Sequence, residues 1–156
     1  MKRLHVSFNV ADLEKSVAFY SQLFGEEPTV RRDDYAKWLL DDPRVNFVLE
    51  GGAHDRMGFT HAGIQVESEE ELQTVFEQMK KAEGPYLPEG ETTCCYHKSE
   101  KSWTSDPDGV AWEAFYTHHQ TEERGYSRAD REVSAAASSG AAGSDLGASC
   151  VGTGCC

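Results

Sequence analysis

The chain contains two copies of one short pattern, and this internal repeat limits the folds that it can adopt. Residues 4–10 and 60–66 both alternate polar and apolar side chains, and a helical pattern follows each of them at once. Their histidines, His5 and His61, stand 56 positions apart, and Val10 matches Val66 at the same offset. The repeat therefore predicts two similar modules within one chain.

Each copy carries its own helix start signal. Asp12 is a good N-cap for a first helix and Gly25 a good terminator, because glycine tolerates the left-handed backbone that often ends a helix. Ser68 and Glu71 form a capping box at the start of a second helix. Both modules therefore begin with a strand and continue with a helix.

Strand-like segments follow both predicted helices, and Asp106–Gly109 has the composition of a type I turn between the last two of them. The sequence thus predicts an α+β fold of two tandem βαβββ modules, residues 1–52 and 58–117. Two such modules, each with one face covered by its helix, would enclose a shared cleft with their open faces. The predicted strands are residues 35–40, 45–49, 93–96, 101–105 and 110–116.

The composition changes after residue 117. Residues 118–132 are mostly polar and are predicted to be a linker, and residues 133–156 are mostly Ala, Ser and Gly, which cannot cover a core and predict a flexible tail. The tail ends with Cys150, Cys155 and Cys156. These thiols are candidates for capturing a soft metal or metalloid, although a dispensable tail is the simpler interpretation.

The overall composition excludes several classes of partner. The chain has 27 acidic and 15 basic residues, a formal net charge of -12, and no Lys/Arg cluster of the kind that binds phosphates, which argues against nucleic acid and anionic membranes. It shows no apolar signal core and no segment long enough to span a membrane, so we expect a cytoplasmic protein. Five cysteines in such a protein are expected to be free thiols.

Strand alternation places three candidate metal ligands in the cleft. The apolar residues on the other face of each strand should meet the helices, which leaves His5, His61 and Glu113 pointing inward. Taken singly, each is more often a surface or hydrogen-bonded residue, but their equivalent places in the repeat favour a metal site. Two histidines and one carboxylate are typical of non-haem Fe(II) enzymes. Candidates for supporting roles on the same faces are Asn9, Gln65 and Phe115.

The adjacent cysteines Cys94 and Cys95 are the second chemical signal. Two neighbouring thiols can bind one thiophilic atom. Neighbouring residues of a regular strand point to opposite faces, so the sequence predicts an irregular backbone at this pair. His97, two residues further on, is expected to be exposed to solvent.

Together these motifs resemble the vicinal oxygen chelate superfamily, which includes glyoxalase I, extradiol dioxygenases and fosfomycin-resistance enzymes. Residues 92–96 and the run from Trp103 to Glu113 are similar to the organoarsenical carbon–arsenic lyases and the related cadmium-induced proteins. The resemblance implies an Fe(II)-dependent dioxygenase that cleaves trivalent methyl- or aryl-arsenicals with dioxygen and releases arsenite. It also implies that His5, His61 and Glu113 hold iron, and that Cys94 and Cys95 hold arsenic.

Two alternatives stay open at this level. A glyoxalase-type or fosfomycin-resistance-type metalloenzyme would share the three ligands, but glyoxalase chemistry usually adds a second carboxylate from the other module. Val48 and Leu49 lie near the expected place, and Glu50 is one register away. The other alternative is a non-enzymatic protein that binds Cd(II) or As(III) through its thiols. A complete site in one chain permits a monomer or a homodimer.

Overall fold

The computed structural model describes residues 1–82 and 84–126, which form one mixed seven-stranded sheet and two helices. The strand order in the sheet is β2-β3-β4-β1-β5-β7-β6. In chain order the elements are β1 (Arg3–Val10), α1 (Leu13–Phe24), β2 (Val30–Arg32), β3 (Tyr35–Asp41), β4 (Arg44–Gly51), β5 (Gly58–Val66), α2 (Glu69–Lys81), β6 (Leu87–Ser105) and β7 (Ala111–Gly125).

The sheet repeats one pairing pattern in its two halves. β1 pairs with β4 in parallel in the first half, and β5 pairs with β7 in parallel in the second. The first strands of the two modules, β1 and β5, pair antiparallel at the centre and join the halves. The predicted α+β fold of two tandem modules around a shared cleft is confirmed.

Both helices begin directly after the N-cap residues that were predicted from the sequence, Asp12 and Ser68. The Asp12 side chain accepts a hydrogen bond from the Lys15 N–H at 3.0 Å, and Gly25 ends α1 with a left-handed φ of 72°. Ser68 accepts from the Glu71 N–H at 3.2 Å at the start of α2.

Each helix packs its apolar stripe against one half of the sheet. Leu13 and Val17 of α1 join Trp38 and Leu49 of the sheet in one core, and α2 builds a second core with β5 and β7. Burying a large apolar side chain stabilises a fold by about 1.5–3 kcal/mol, so these two cores hold the helices on one face. The opposite face keeps the polar residues of the cleft.

The second module differs from the predicted βαβββ pattern. The predicted strands 93–96 and 101–105 are parts of one long strand, β6, and the final strand continues to Gly125, well beyond the predicted end at residue 116. Residues 118–125 of the predicted linker are therefore strand. Pairing with β6 stabilises this polar extension of β7. The paired region runs from Ser105 opposite Ala111 to Cys95 opposite Gly125.

The β6–β7 arm contacts the first module across the cleft. The Tyr96 hydroxyl donates to Asp34 at 2.7 Å, and Arg124 forms ion pairs with Asp34 and, at 2.8 Å, with Glu50. These contacts tie the segment that carries the adjacent cysteines to β4 and to the turn between β2 and β3.

The tail, with Cys150, Cys155 and Cys156, lies outside the described residues, as do residues 127–132 of the predicted linker. In the part of the chain that the structure describes, no helix is long and apolar enough to cross a membrane.

Candidate active site

The three predicted metal ligands converge in the cleft. The Nε2 atoms of His5 and His61 are 3.2 Å apart, and the Glu113 Oε1 atom lies 3.1 Å from the first and 3.5 Å from the second. One donor atom from each residue lies within 4.8 Å of the others, a spacing that suits a single metal ion. His5 and Glu113 are buried, and His61 is half-buried.

Strand register explains why these side chains meet. His5 of β1 lies opposite Gly63 of β5, and Gly63 lies opposite Glu113 of β7, so the three positions form one row across the centre of the sheet. His61 shares a face with Gly63 because it lies two positions earlier on the strand. The side chains of His5 and Glu113 can approach each other because Gly63, between them, has no side chain. A Cβ atom at this position would lie 2.7 Å from Glu113 Cγ and 3.3 Å from His5 Cδ2.

We expect Gly63→Ala to weaken metal binding about 10–100-fold, the usual effect of disturbing the support of metal ligands. The added methyl group must displace the Glu113 side chain or its backbone oxygen, which would lie 2.8 Å away. Isothermal titration with Fe(II) under anaerobic conditions measures the change. Gly51→Ala is the matched control, because its Cβ would instead meet Leu13 Cβ at 3.0 Å in the helix core. Equal metal affinity in both variants would contradict the assignment.

Hydrogen bonds orient both imidazoles toward the shared centre. His5 Nδ1 donates to the Asn46 carbonyl at 3.1 Å, which leaves Nε2 as the ligand atom. The Thr60 hydroxyl donates to the Ser7 carbonyl at 3.0 Å, so it accepts from His61 Nδ1 at 3.1 Å. Both tautomers therefore present an Nε2 lone pair to the site.

The charges at the centre suit a divalent cation. Burial lowers the pKa of His5, so its imidazole stays neutral. Burial alone would raise the pKa of Glu113, but the nearby Lys101 ammonium and the adjacent imidazoles of His5 and His61 outweigh it and hold that pKa well below its usual range. Two imidazoles and one carboxylate form a donor set that fits Fe(II) and would leave coordination positions open.

The repeat also shows what occupies the place of a fourth ligand. Gly63 lies opposite Glu113 in the second module, and Ser7, its counterpart in the repeat, lies opposite Val48 in the first. Val48 therefore occupies the place that corresponds to Glu113. Valine cannot bind a metal, and the nearby Glu50 carboxylate accepts a hydrogen bond from Arg124. Within residues 1–82 and 84–126, the candidate metal cluster therefore contains one carboxylate, without the second one expected of a glyoxalase-type site.

Two buried oxygen atoms beside the centre have no hydrogen-bond partner: Ser7 Oγ and Asn46 Oδ1. Both residues line the cleft, and buried polar atoms normally find a partner. They are therefore suited to water or another small polar ligand held next to a metal ion.

The adjacent thiols line the same cavity as the histidines and Glu113. The Sγ atoms of Cys94 and Cys95 are 3.9 Å apart, close enough for one atom to bond both. Cys95 has a left-handed φ of 53°, and the pairing register shifts between Cys95 and His97. The predicted irregular backbone at this pair is confirmed, and it allows both thiols to line one cavity.

The cavity has a volume of about 60 Å³. Phe115 lines it and meets the His5 ring edge-on at 5.3 Å between centroids. Asn9 instead donates to the Arg56 carbonyl at 3.0 Å, and Gln65 accepts a hydrogen bond from the side chain of Asn46, a cavity residue, at 3.1 Å. The lining residues are His5, Ser7, Tyr35, Lys37, Asn46, Val48, Glu50, His61, Cys94, Cys95, His97, Ser99, Lys101, Trp103, Glu113, Phe115 and Thr117.

Several lining residues were missed by sequence reasoning. Lys37 and Lys101 are buried in the cavity wall, although lysine is usually a surface residue. The expectation that His97 is exposed was wrong: it is 8% exposed because the β6–β7 arm lies against the first module. The available signal was the alternation of side chains along β3 and β6, which places every second residue of a strand on the same face.

Residues 2–114 match the sequence profile of the glyoxalase/bleomycin resistance protein/dioxygenase superfamily. The chain is 46% identical over 129 residues to the trivalent organoarsenical cleaving enzyme of Bacillus sp. strain MD1, covering 79% of this chain and 78% of that protein. It is 32% identical over 115 residues to the cadmium-induced protein CadI of Mycobacterium tuberculosis strain H37Rv, covering 74% and 76% of the two chains.

Solved structures share the fold at low sequence identity. The Mn(II)-bound glyoxalase from Novosphingobium aromaticivorans superposes with a TM-score of 0.55 at 18% identity, covering 82% of this chain and 44% of that one. An extradiol ring-cleaving dioxygenase from B. fuscum superposes with a TM-score of 0.56 at 17% identity, covering 77% and 34%. These likenesses support the fold alone.

Proposed function

This chain belongs to the glyoxalase/bleomycin resistance protein/dioxygenase superfamily, and on that premise we propose that it is an Fe(II)-dependent dioxygenase that cleaves the carbon–arsenic bond of trivalent organoarsenicals. The products include arsenite, and the role is detoxification of methyl- or aryl-arsenicals in the cytoplasm. One observation carries the proposal: a histidine–histidine–glutamate triad and a pair of adjacent thiols line one cavity.

The two sets of ligands select different elements. Trivalent arsenic is soft and bonds strongly to sulfur, whereas imidazole and carboxylate suit Fe(II). One cavity can therefore hold metal and substrate without either displacing the other. The name of the similar Bacillus enzyme, a trivalent organoarsenical cleaving enzyme, supports this choice of substrate.

The thiol pair matches the valence of the proposed substrate. An arsenical with one organic group has two further valences, and each can exchange an oxygen ligand for sulfur. After Cys94 or Cys95 has bonded, the other thiol lies 3.9 Å away and acts at a high effective concentration. The pair thus fixes the arsenic atom and restricts the positions that its organic group can take.

His5, His61 and Glu113 would hold Fe(II), which supplies the site for dioxygen activation next to the bound arsenical. Phe115 and Trp103 provide aromatic surfaces that limit the access of water to this part of the cavity. The role of the chain itself is to bring substrate and metal together and hold them, so that bond cleavage becomes an effectively intramolecular step.

Arsenite release should require both Fe(II) and dioxygen. The test compares metal-free protein with protein loaded anaerobically with Fe(II) or Zn(II), each incubated with methyl- or phenylarsenous acid with and without oxygen. Arsenic species are separated by chromatography and measured by mass spectrometry. Equal arsenite from metal-free protein, or from Fe(II) protein without oxygen, would contradict the proposal. Arsenical binding with no cleavage under any condition would favour a thiol-binding protein instead.

A further inference from the structure

A buried pair of basic side chains lies in the cavity wall near the thiols. Lys37 Nζ of β3 donates a hydrogen bond to His97 Nε2 of β6 at 2.5 Å. Lys37 is 5% exposed and His97 8% exposed. Both line the cavity that contains Cys94 and Cys95, and neither has a role in the triad. Burying a lysine is costly, and none of the carboxylates in the described part of the chain forms an ion pair with Lys37, so its burial calls for a functional explanation.

We propose that Lys37 is the proton acceptor that ionises Cys95 when the protein captures an arsenical, and that His97 is its positioning residue. This inference rests on the proposed function, because it assigns a step to the thiol pair of that site. Lys37 acts as a neutral amine, and the His97 imidazole holds Nζ in the cavity by accepting its hydrogen bond.

The step balances without any redox partner. The Cys95 thiol gives its proton to the Lys37 amine, and the thiolate forms the sulfur–arsenic bond. The arsenic–oxygen bond breaks, the departing hydroxide takes the proton from the Lys37 ammonium, and water leaves. The lysine returns to its starting state, and arsenic stays trivalent throughout.

Cys95 needs such a base because its thiol resists ionisation. Its hydrogen bond with Cys94 and its burial raise the pKa of Cys95 well above that of a free thiol. Burial lowers the pKa of Lys37 to about 8, although the charge of a Cys95 thiolate opposes this change. A useful fraction of Lys37 is therefore neutral near pH 7.

His97 is suited to hold this amine. Burial, with the positive charges of Lys37, Lys101 and Arg32, lowers the pKa of His97 to about 3, so its ring stays neutral and keeps Nε2 as an acceptor. A protonated imidazole at this position would instead repel the lysine.

The other titratable groups facing this part of the cavity are less suitable bases. Lys101 forms an ion pair with Glu113 at 3.2 Å, and the Glu50 carboxylate accepts a hydrogen bond from Arg124. Arg124 is a permanent cation, and burial raises the pKa of the Tyr35 phenol well above its usual value, so it stays protonated. Lys37, which lines the same cavity as Cys95, remains as the group suited to accept the thiol proton.

The test follows arsenical capture by metal-free protein without oxygen. Phenylarsenous acid is mixed rapidly with the protein, and tryptophan fluorescence, to which Trp103 of the cavity wall contributes, reports binding. In Lys37→Met and Lys37→Arg we expect the association rate constant at pH 7 to fall about 100-fold, the usual contribution of a general base. The dissociation rate constant should fall equally, leaving affinity nearly unchanged, because a proton acceptor speeds both directions. As the pH rises toward the range in which Cys95 ionises without a base, the variants should approach the unmodified protein.

Lys80→Met, at an exposed lysine of α2, is the control and should bind at the unmodified rate. An association rate within about threefold of the unmodified protein in both Lys37 variants, below the range of general-base effects, would overturn the proposal. Weaker affinity at an unchanged association rate would also overturn it, since that indicates a purely structural role. If Lys37→Met does not fold by circular dichroism, Lys37→Arg, which keeps the cation, decides alone. Because metal and oxygen are absent, this result is independent of whether the protein later cleaves the arsenical.

Discussion

His61→Ala is expected to lower arsenite release about 1000-fold, because the loss of one of three metal ligands removes the metal-assisted step. The same variant should keep its affinity for trivalent arsenicals, since Cys94 and Cys95 remain in place. Bound iron per protein and arsenite release are measured together, with arsenical affinity determined anaerobically. His119→Ala, at an exposed histidine of β7, is the matched control and should behave as the unmodified protein.

The informative result is that His61→Ala loses arsenite release while it keeps its arsenical affinity. If His61→Ala lost arsenical affinity and arsenite release together, the triad would be part of the arsenic-binding site and not a separate metal centre. Full activity in this variant would exclude His61 as a ligand, whatever the geometry of its Nε2 atom.

The double variant Cys94→Ser, Cys95→Ser is expected to lose more than about 100- to 10000-fold in arsenical affinity, because it loses both sulfur–arsenic bonds as well as the benefit of two linked binding groups. Each single variant should lose less, because one sulfur–arsenic bond remains. The measurement is titration with phenylarsenous acid in a full-length background in which Cys150, Cys155 and Cys156 are serine. Fe(II) affinity should stay unchanged in all of these variants.

Two results would contradict this role of the thiols. Equal arsenical affinity in the double variant would remove the pair from substrate binding. A parallel loss of Fe(II) affinity would indicate that the thiols bind the metal, in conflict with the convergence of the imidazole and carboxylate donors on a separate centre.

The convergence of His5, His61 and Glu113 was predictable because the sequence repeats itself. A repeat offset of 56 placed His5 and His61 in equivalent positions, and strand alternation placed Glu113 on the same face. The fold and the convergence of these side chains followed from local patterns. The sequence did not identify Gly63, whose importance lies in its place between His5 and Glu113 in neighbouring strands.

The opposite wall of the cavity was not predictable in the same way. Whether Lys37 and His97 are buried depends on the β6–β7 arm reaching the first module, which involves contacts such as Tyr96 with Asp34. Those residues are 62 positions apart, and single-strand patterns carry no information about such pairs. A polar extension of β7 also resembles a linker, because strand pairing determines its structure more than its own composition.

The most direct test of the central claim is a single turnover of arsenical already bound to the thiols. Protein loaded with Fe(II) is saturated anaerobically with phenylarsenous acid, freed of unbound arsenical by gel filtration, and then mixed with oxygen-containing buffer. We predict that the bound arsenical is converted to arsenite in that single mixing, and that it stays intact when oxygen or iron is omitted. Survival of the thiol-bound arsenical in oxygen with iron present would mean that the thiols and the triad do not act on the same molecule, which contradicts the proposed mechanism.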